Sequence, residues 1–281
     1  MYYLPAIIAA TIWAYVVSIY KKIQLESTIL NLWRLSITAL SISILAIPGL
    51  LNLNQAVIWA ILNGIIVLGI GDTLYIKGLK LCGVSIATPI VFTYIIIVQL
   101  IATFLGEPLT ISKVLASILA FLGIYILSRG GDKDVEKAKN LTLGIIYSII
   151  ASLAWAFGQS LLKLAVLNID VITITFIRAS SGAVTLLFIT LITGKDFEKP
   201  SRKDFTKLLF YSPIDLGLGA YLFILSISLI GLGLTVILIS LTPLLAQIIA
   251  HYLCDEKIGV KELMSAILII SGITMCVLNI L

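Results

Sequence analysis

Ile7-Ile8-Ala9-Ala10-Thr11-Ile12-Trp13-Ala14-Tyr15 returns as Ile149-Ile150-Ala151-Ser152-Leu153-Ala154-Trp155-Ala156-Phe157, 142 positions further on (149 − 7). Five of the nine positions are identical, and Tyr15/Phe157 is a close exchange. The same offset pairs Lys21 with Lys163. The chain therefore reads as a tandem duplication with about 140 residues in each half, and such a repeat fixes the architecture before any single residue does. Outward from this stretch the repeat continues in order. Arg34-Leu35-Ser36 answers to Arg178-Ala179-Ser180, and Gly71 and Tyr75 to Gly217 and Tyr221. Gly83 and Gln99 answer to Gly231 and Gln247, and Glu107 and Gly123 to Glu256 and Gly272. The offset drifts from 142 to 149 (256 − 107) as connecting segments lengthen.

Composition places the duplication in a membrane. Hydrophobic residues make up 60% of the chain, charged residues only 12%, and the mean hydropathy is +1.15. A soluble domain carries about 25% charged residues. The net charge of +5 comes from loop lysines and arginines rather than one basic face, which speaks against a nucleic-acid partner. Cys82, Cys254 and Cys276 are too scattered for a disulfide framework or a metal motif and read as small packing residues.

With about 20 apolar residues needed per spanning helix, ten spans are expected, near 3–20, 28–47, 56–76, 84–105, 110–128, 141–162, 170–192, 207–229, 233–253 and 260–280. The expected fold class is thus an all-α membrane protein whose ten transmembrane helices form two five-helix inverted repeats; that they surround a central cavity is what the family resemblance given below implies. The first repeat is 1–128, the charged linker 129–140 and the second repeat 141–281. Inversion follows from counting, because an odd number of spans makes the second half start from the opposite side. No positive segment precedes the first apolar stretch, so it reads as a retained span rather than a cleaved leader. Fifteen Lys and Arg fall on odd-numbered links, whereas only Lys113 and Lys163 lie at even-numbered ones, a bias that places both termini outside the cell.

A few side chains could carry chemistry. Asp72, in Gly69-Ile70-Gly71-Asp72-Thr73, and Asp215, in Ser212-Pro213-Ile214-Asp215, interrupt apolar spans. A charge at mid-membrane costs roughly 2.5–3.5 kcal/mol on insertion scales and usually faces a cavity. Both are candidates for coupling to protons or cations, with glycine and proline nearby suggesting a broken or kinked helix; a carboxylate that simply reaches water near a helix end is the plain alternative. Trp13, Tyr75, Gln99, Trp155, Tyr221 and Gln247 are candidates for substrate binding or the cavity wall. The tryptophans could equally be packed or lipid-facing, and the glutamines could hydrogen-bond other helices. Arg34 and Arg178 either snorkel to the interface or bind a carboxylate or phosphate. Glu107 and Glu256 suit the first turn of the helix after each. His251 is the single histidine. Small residues at four-residue spacing, Ala6, Ala10, Ala14 and Ser18, and Ser148, Ser152, Ala156 and Ser160, offer a face for close packing or for sliding.

The ordered set resembles the drug/metabolite transporter superfamily, specifically its ten-helix EamA-type exporters, over nearly the whole chain. Its carriers are the Trp-Ala pairs at 13–14 and 155–156, Arg34 and Arg178, Leu241-Thr242-Pro243, and the Gly106-Glu107-Pro108-Leu109-Thr110 and Asp255-Glu256 turns. The resemblance implies a ten-helix basket with a cavity lined by spans one, three, four, six, eight and nine, and export of amino acids or other small metabolites. It also implies termini in the cytoplasm, against the charge count. The first half departs from the pattern with Thr93-Tyr94-Ile95 where the second has Thr242-Pro243, and the first span lacks the glutamate of the four-helix multidrug members.

The expected function is secondary transport of small metabolites across the plasma membrane by alternating access. The chain works as a monomer, with a small-molecule substrate, protons as the candidate coupling ion, the lipid bilayer as its surroundings and no cofactor. A carrier of organic phosphates or nucleotide sugars is the alternative within the superfamily. A non-transporting receptor or assembly factor is the alternative of another class. An enzyme is not expected: there is no Gly-x-Ser-x-Gly nucleophile turn, no phosphate-binding Gly-x-x-x-x-Gly-Lys loop, and too little histidine for a metal site.

Overall fold

The computed structural model describes residues 2–20, 23–128, 140–194, 196–254 and 259–278. The expected linker 129–140, apart from Asn140, lies outside the described residues, as do Lys21, Glu256 and the side chains of Ser18 and His251.

Helices α1 (Leu4–Tyr20), α2 (Ser27–Leu50), α3 (Val57–Cys82), α4 (Val84–Phe92 and Tyr94–Phe104) and α5 (Ile111–Ser128) form the first half. Helices α6 (Leu141–Ala165), α7 (Val171–Ile192), α8 (Arg202–Ile230), α9 (Leu232–Ile239 and Leu241–Cys254) and α10 (Val260–Val277) form the second. No strand occurs among the described residues. An all-helical architecture meets the demand of a bilayer, since an α-helix satisfies its backbone polar groups within the segment. Nine helices are long and apolar enough to cross a membrane among the described residues. The tenth, α1, has 17 residues; at 1.5 Å rise it reaches only about 25 Å. Helix α8 starts five residues earlier than expected (207 − 202) because Ser201 caps it, its Oγ accepting the Asp204 N–H at 3.2 Å. Asp170 caps α7 in the same way through the Thr173 N–H, 2.9 Å.

The expected breaks beside Asp72 and Asp215 are not breaks. Helices α3 and α8 run through as continuous helix, widened to π geometry over Gly64–Gly71 and Pro213–Gly219. There the Asp72 N–H bonds Val67 O, and the Ala220 N–H bonds Asp215 O, both i→i+5. Interruptions fall instead in α4 at Thr93 and in α9 at Ser240.

The π turns also correct the register of the repeat. Gly83 and Gly231 both take left-handed φ, 81° and 83°, at an offset of 148 (231 − 83), and the π stretches end at Gly71 and Gly219 with the same offset. Tyr75 therefore corresponds to Phe223 rather than Tyr221, and Gly71 to Gly219 rather than Gly217. The two aspartates are not equivalents: Asp72 stands opposite Ala220, and Asp215 opposite Val67.

Contacts between the halves are reciprocal. Helix α1 packs on α8 and α9, and α6 packs on α3 and α4; α2 pairs with α7, and α5 with α10. In the α5–α10 pair, a Cβ on Gly123 would meet Ser265 O at 3.0 Å, and a Cβ on Gly272 would meet Ala116 O at 2.9 Å. Such exchange of partners is what a two-fold relation produces. Small residues make the approach possible. Ala6, Ala10, Ala14, Ser148, Ser152, Ala156 and Ser160 are all buried, and Thr93 Oγ1 lies 2.8 Å from Ser152 Oγ across the halves.

Candidate functional site

Between the halves lies a cluster of charge inside the membrane-spanning helices. Arg34 of α2 donates from Nη2 to Asp215 Oδ2 of α8 at 2.5 Å, an ion pair with side chains 13% and 6% exposed. Its Nη1 donates to Asn31 Oδ1 at 3.2 Å, and its guanidinium carbon sits 4.5 Å from the Tyr20 ring centroid. Asn31 is held in turn, donating to Leu68 O of the π stretch at 2.8 Å. Charge, amide and ring thus meet the electrostatic demand of Arg34, although its Nε is buried without a hydrogen-bond partner.

The duplicate arginine is held differently. Arg178 of α7 is 3% exposed. Its Nε donates to Asn63 Oδ1 of α3 at 2.7 Å. Asn63 Nδ2 donates to Gly158 O of α6 at 2.7 Å, which turns the amide oxygen towards the guanidinium. Among the described residues no carboxylate bonds Arg178, and its Nη1 is buried without a hydrogen-bond partner. Asp72 is the acid whose charge acts on it, yet Asp72 Oδ1 accepts from Trp155 Nε1, 3.0 Å, on α6.

Aromatic rings close around these groups. Trp155 lies against Tyr75 (5.3 Å between centroids), Tyr94 (5.4 Å) and Phe92 (6.2 Å). On the other side Trp13 packs on Phe223 at 5.4 Å and donates to Asp215 O at 3.2 Å. Each indole lies across a glycine of the opposite half: a Cβ on Gly71 would fall 2.8 Å from Trp155 Cδ1, and one on Gly219 would fall 2.9 Å from Trp13 Nε1. The duplicated Trp-Ala motifs are therefore cross-braces between halves.

The remaining sequence candidates are placed apart. Gln99 is buried, and its amide nitrogen donates to Gly233 O of α9 at 3.1 Å, so it joins helices rather than facing open space. Gln247 is partly buried on α9. Tyr221 lines a groove of about 280 Å³ with Ile42, Leu45, Ile172 and Pro213, contributed by α2, α7 and α8. Asn31 and Asn63 were not singled out from the sequence. Each is an amide inside an apolar run, and that signal was readable in Ile29-Leu30-Asn31-Leu32 and Ile61-Leu62-Asn63-Gly64.

Glu107 corrects another expectation. It caps not its own α5 but the start of α9, accepting the Leu232 N–H at 2.6 Å and the Gly233 N–H at 3.0 Å. It also pairs with Lys163 Nζ of α6 at 2.6 Å and with Lys113 Nζ at 3.7 Å. Gly231 makes this possible, because its backbone passes so close that a Cβ would lie 2.8 Å from Glu107 Oε1. Burial pushes the Glu107 carboxyl up, but the Lys163 hydrogen bond and the two backbone N–H groups outweigh it and hold it below the ordinary carboxylate value.

Two five-helix halves cross-braced around buried, opposite charges define an integral membrane transporter of duplicated architecture. The chain belongs to the EamA-like transporter family, whose profile matches twice, over residues 1–129 and 142–278. It is similar to an uncharacterized transporter of Archaeoglobus fulgidus, 28% identical over 82% of this chain and 80% of that protein. It is also similar to the uncharacterized transporter YvbV of Bacillus subtilis, 27% identical over 88% and 80%. A solved crystal structure superposes on 99% of this chain and 96% of its own with a TM-score of 0.83; at 15% identity this likeness is one of fold.

Proposed function

We propose that the chain is a secondary transporter that exports small metabolites such as amino acids across the plasma membrane, by alternating access between inverted halves. The observation that carries this reading is the set of buried Asp215 and Arg178 with partly buried Arg34 and Asp72 at the interface of the halves, beside the π-widened turns of α3 and α8. Charges at this depth are costly and tend to mark substrate or ion paths. Asp72 is the candidate proton carrier. It is only partly buried, and both guanidiniums act on it. Its protonation would remove a negative charge from between them and loosen the tie to Trp155. Alternating access also needs ties that break at each mouth, and the Glu107 link from the α4–α5 turn to α6 and α9 is suited to that role.

Proteoliposomes with an imposed proton gradient, screened with the common amino acids, test the reading. The parent should concentrate at least one of them, and Asp72→Asn should still exchange it but lose accumulation. A parent that moves no small metabolite under any gradient would leave a receptor or assembly role. An organic phosphate is the second candidate substrate. It is less favoured because Lys163 is taken by Glu107 and Arg34 by Asp215, leaving Arg178 and Lys77 to meet two negative charges.

A further inference from the structure

The two arginines descend from one ancestral position, yet only one has its counter-charge. Arg34 has Asp215, Asn31 and the Tyr20 ring. Arg178 has the neutral Asn63 on Nε, and each arginine leaves one buried N–H without an acceptor, Nε on Arg34 and Nη1 on Arg178, so what sets Arg178 apart is the missing carboxylate. The position of Asp215 in α8 is Val67 in α3, so the first half offers no acid to Arg178 at the matching place. A guanidinium buried in a spanning helix with a dangling N–H is expensive twice over, for the charge and for the unmade bond. Anchoring does not relieve it, because the side chain is 3% exposed and bonds inward to α3. Nor is the fixing loose: Asn63 is itself clamped on Gly158 O, which leaves the outer edge of the guanidinium presented in one orientation.

We propose that Arg178, held by Asn63, is the anion subsite of the transporter and takes the carboxylate of the substrate, with Asp72 and the Trp155–Tyr75–Tyr94 rings receiving its ammonium group. This rests on the reading of the chain as a carrier of amino-acid-like metabolites. A planar two-oxygen group suits the unused edge of a guanidinium, and an ammonium beside indole and phenol rings gains cation–π attraction in addition to the carboxylate. The two protein charges lie on α7 and α3, so a zwitterion bridging them would bring its own compensation to each.

Ligand binding to the purified protein in detergent tests the subsite separately from transport. The probes are the common amino acids, their carboxamides, and inorganic phosphate and glycerol phosphate, read by the rise in melting temperature and by Trp155-sensitive fluorescence. At least one amino acid should stabilise the parent, and its carboxamide, which lacks the anion, should bind about tenfold more weakly or less. Arg178→Gln should erase that discrimination, while Arg178→Lys, which keeps the charge and guards against a folding defect, should retain part of it. Binding of the phosphates with the same dependence on Arg178 would keep the anion subsite and overturn the amino-acid assignment of the function. Equal binding of acid and carboxamide by the parent, undiminished discrimination in Arg178→Gln, or no anion bound by the parent would overturn the subsite; in the last two cases transport in proteoliposomes remains an independent question.

Discussion

Removing Glu107 should unfasten the halves at one mouth. The carboxylate is 9% exposed and receives two backbone N–H groups of α9 and two ammonium groups, from Lys163 and Lys113. Taking one partner from a buried pair costs about 3–5 kcal/mol, because the other charge is stranded. The lysines here are 18% and 16% exposed and can turn to water, so the lower end applies to the pair. Glu107→Ala should then cost about 3 kcal/mol, and Glu107→Gln, which keeps one acceptor for the α9 cap, about 1–2 kcal/mol. At about 2–4 °C per kcal/mol the alanine variant should melt roughly 6–12 °C below the parent in detergent. The pH dependence has a definite sign. The folded carboxyl is held below the ordinary carboxylate value, so its contribution is complete above that ordinary value and is lost as pH falls through the folded one. The gap between parent and Glu107→Gln should be constant from pH 8 to 6 and shrink below about pH 4.5. A Glu107→Ala protein melting within 2 °C of the parent at pH 7, or a gap indifferent to acid, would refute the reasoning.

Gly71→Ala drives a methyl into the Trp155 indole, which three other rings hold in place; the expected cost is about 1–3 kcal/mol, together with a shift in tryptophan emission as the Asp72 bond breaks. Gly219→Ala should do the same at Trp13, and a variant as stable as the parent would show that the brace yields. Arg34→Gln strands Asp215 and should destabilise by about 3 kcal/mol or more, whereas Arg34→Gln with Asp215→Asn should recover a large part of it; additive losses in unfolding experiments would mean the pair is not coupled. For orientation, single cysteines at Asn54 and Lys133 on intact cells should separate under an impermeant thiol reagent, with Asn54 labelled and Lys133 protected. The reverse pattern would set the resemblance above the charge count.

The helices and their number were legible because they rest on long-range averages. Hydropathy over twenty residues survives local error, and so does a motif repeated with its tryptophan intact. The chemistry was legible only in part. Asp72 and Asp215 stood out as acids in apolar spans, but their partners lie 83 and 181 positions away, on Trp155 and Arg34, and no local pattern encodes such pairs. The alignment of Gly71 with Gly217 slipped by two residues for a physical reason as well. Glycines recur at every second position in Gly69-Ile70-Gly71 and Gly217-Leu218-Gly219, so identity alone scores both registers. The backbone decides between them, because an i→i+5 turn and a left-handed glycine can be placed in only one way.

Correct register changes what the duplication means. With Asp72 opposite Ala220 and Asp215 opposite Val67, each half has an acid within a spanning helix at a place where the other half has none. A symmetric ancestor would have presented identical charges to both sides of the interface. Here one arginine is locked by an acid of the opposite half, while the other faces an acid engaged elsewhere. The locked pair joins α2 to α8, and the open one sits between α7 and α3, so the two ends of the same two-fold arrangement have different work. A scaffold can stay symmetric in its packing, as the Gly123–Ser265 and Gly272–Ala116 contacts do, while its charges diverge, because packing is constrained by shape at every contact and charge only where water is absent. In this chain that divergence leaves Arg178 with an amide where Arg34 has a carboxylate.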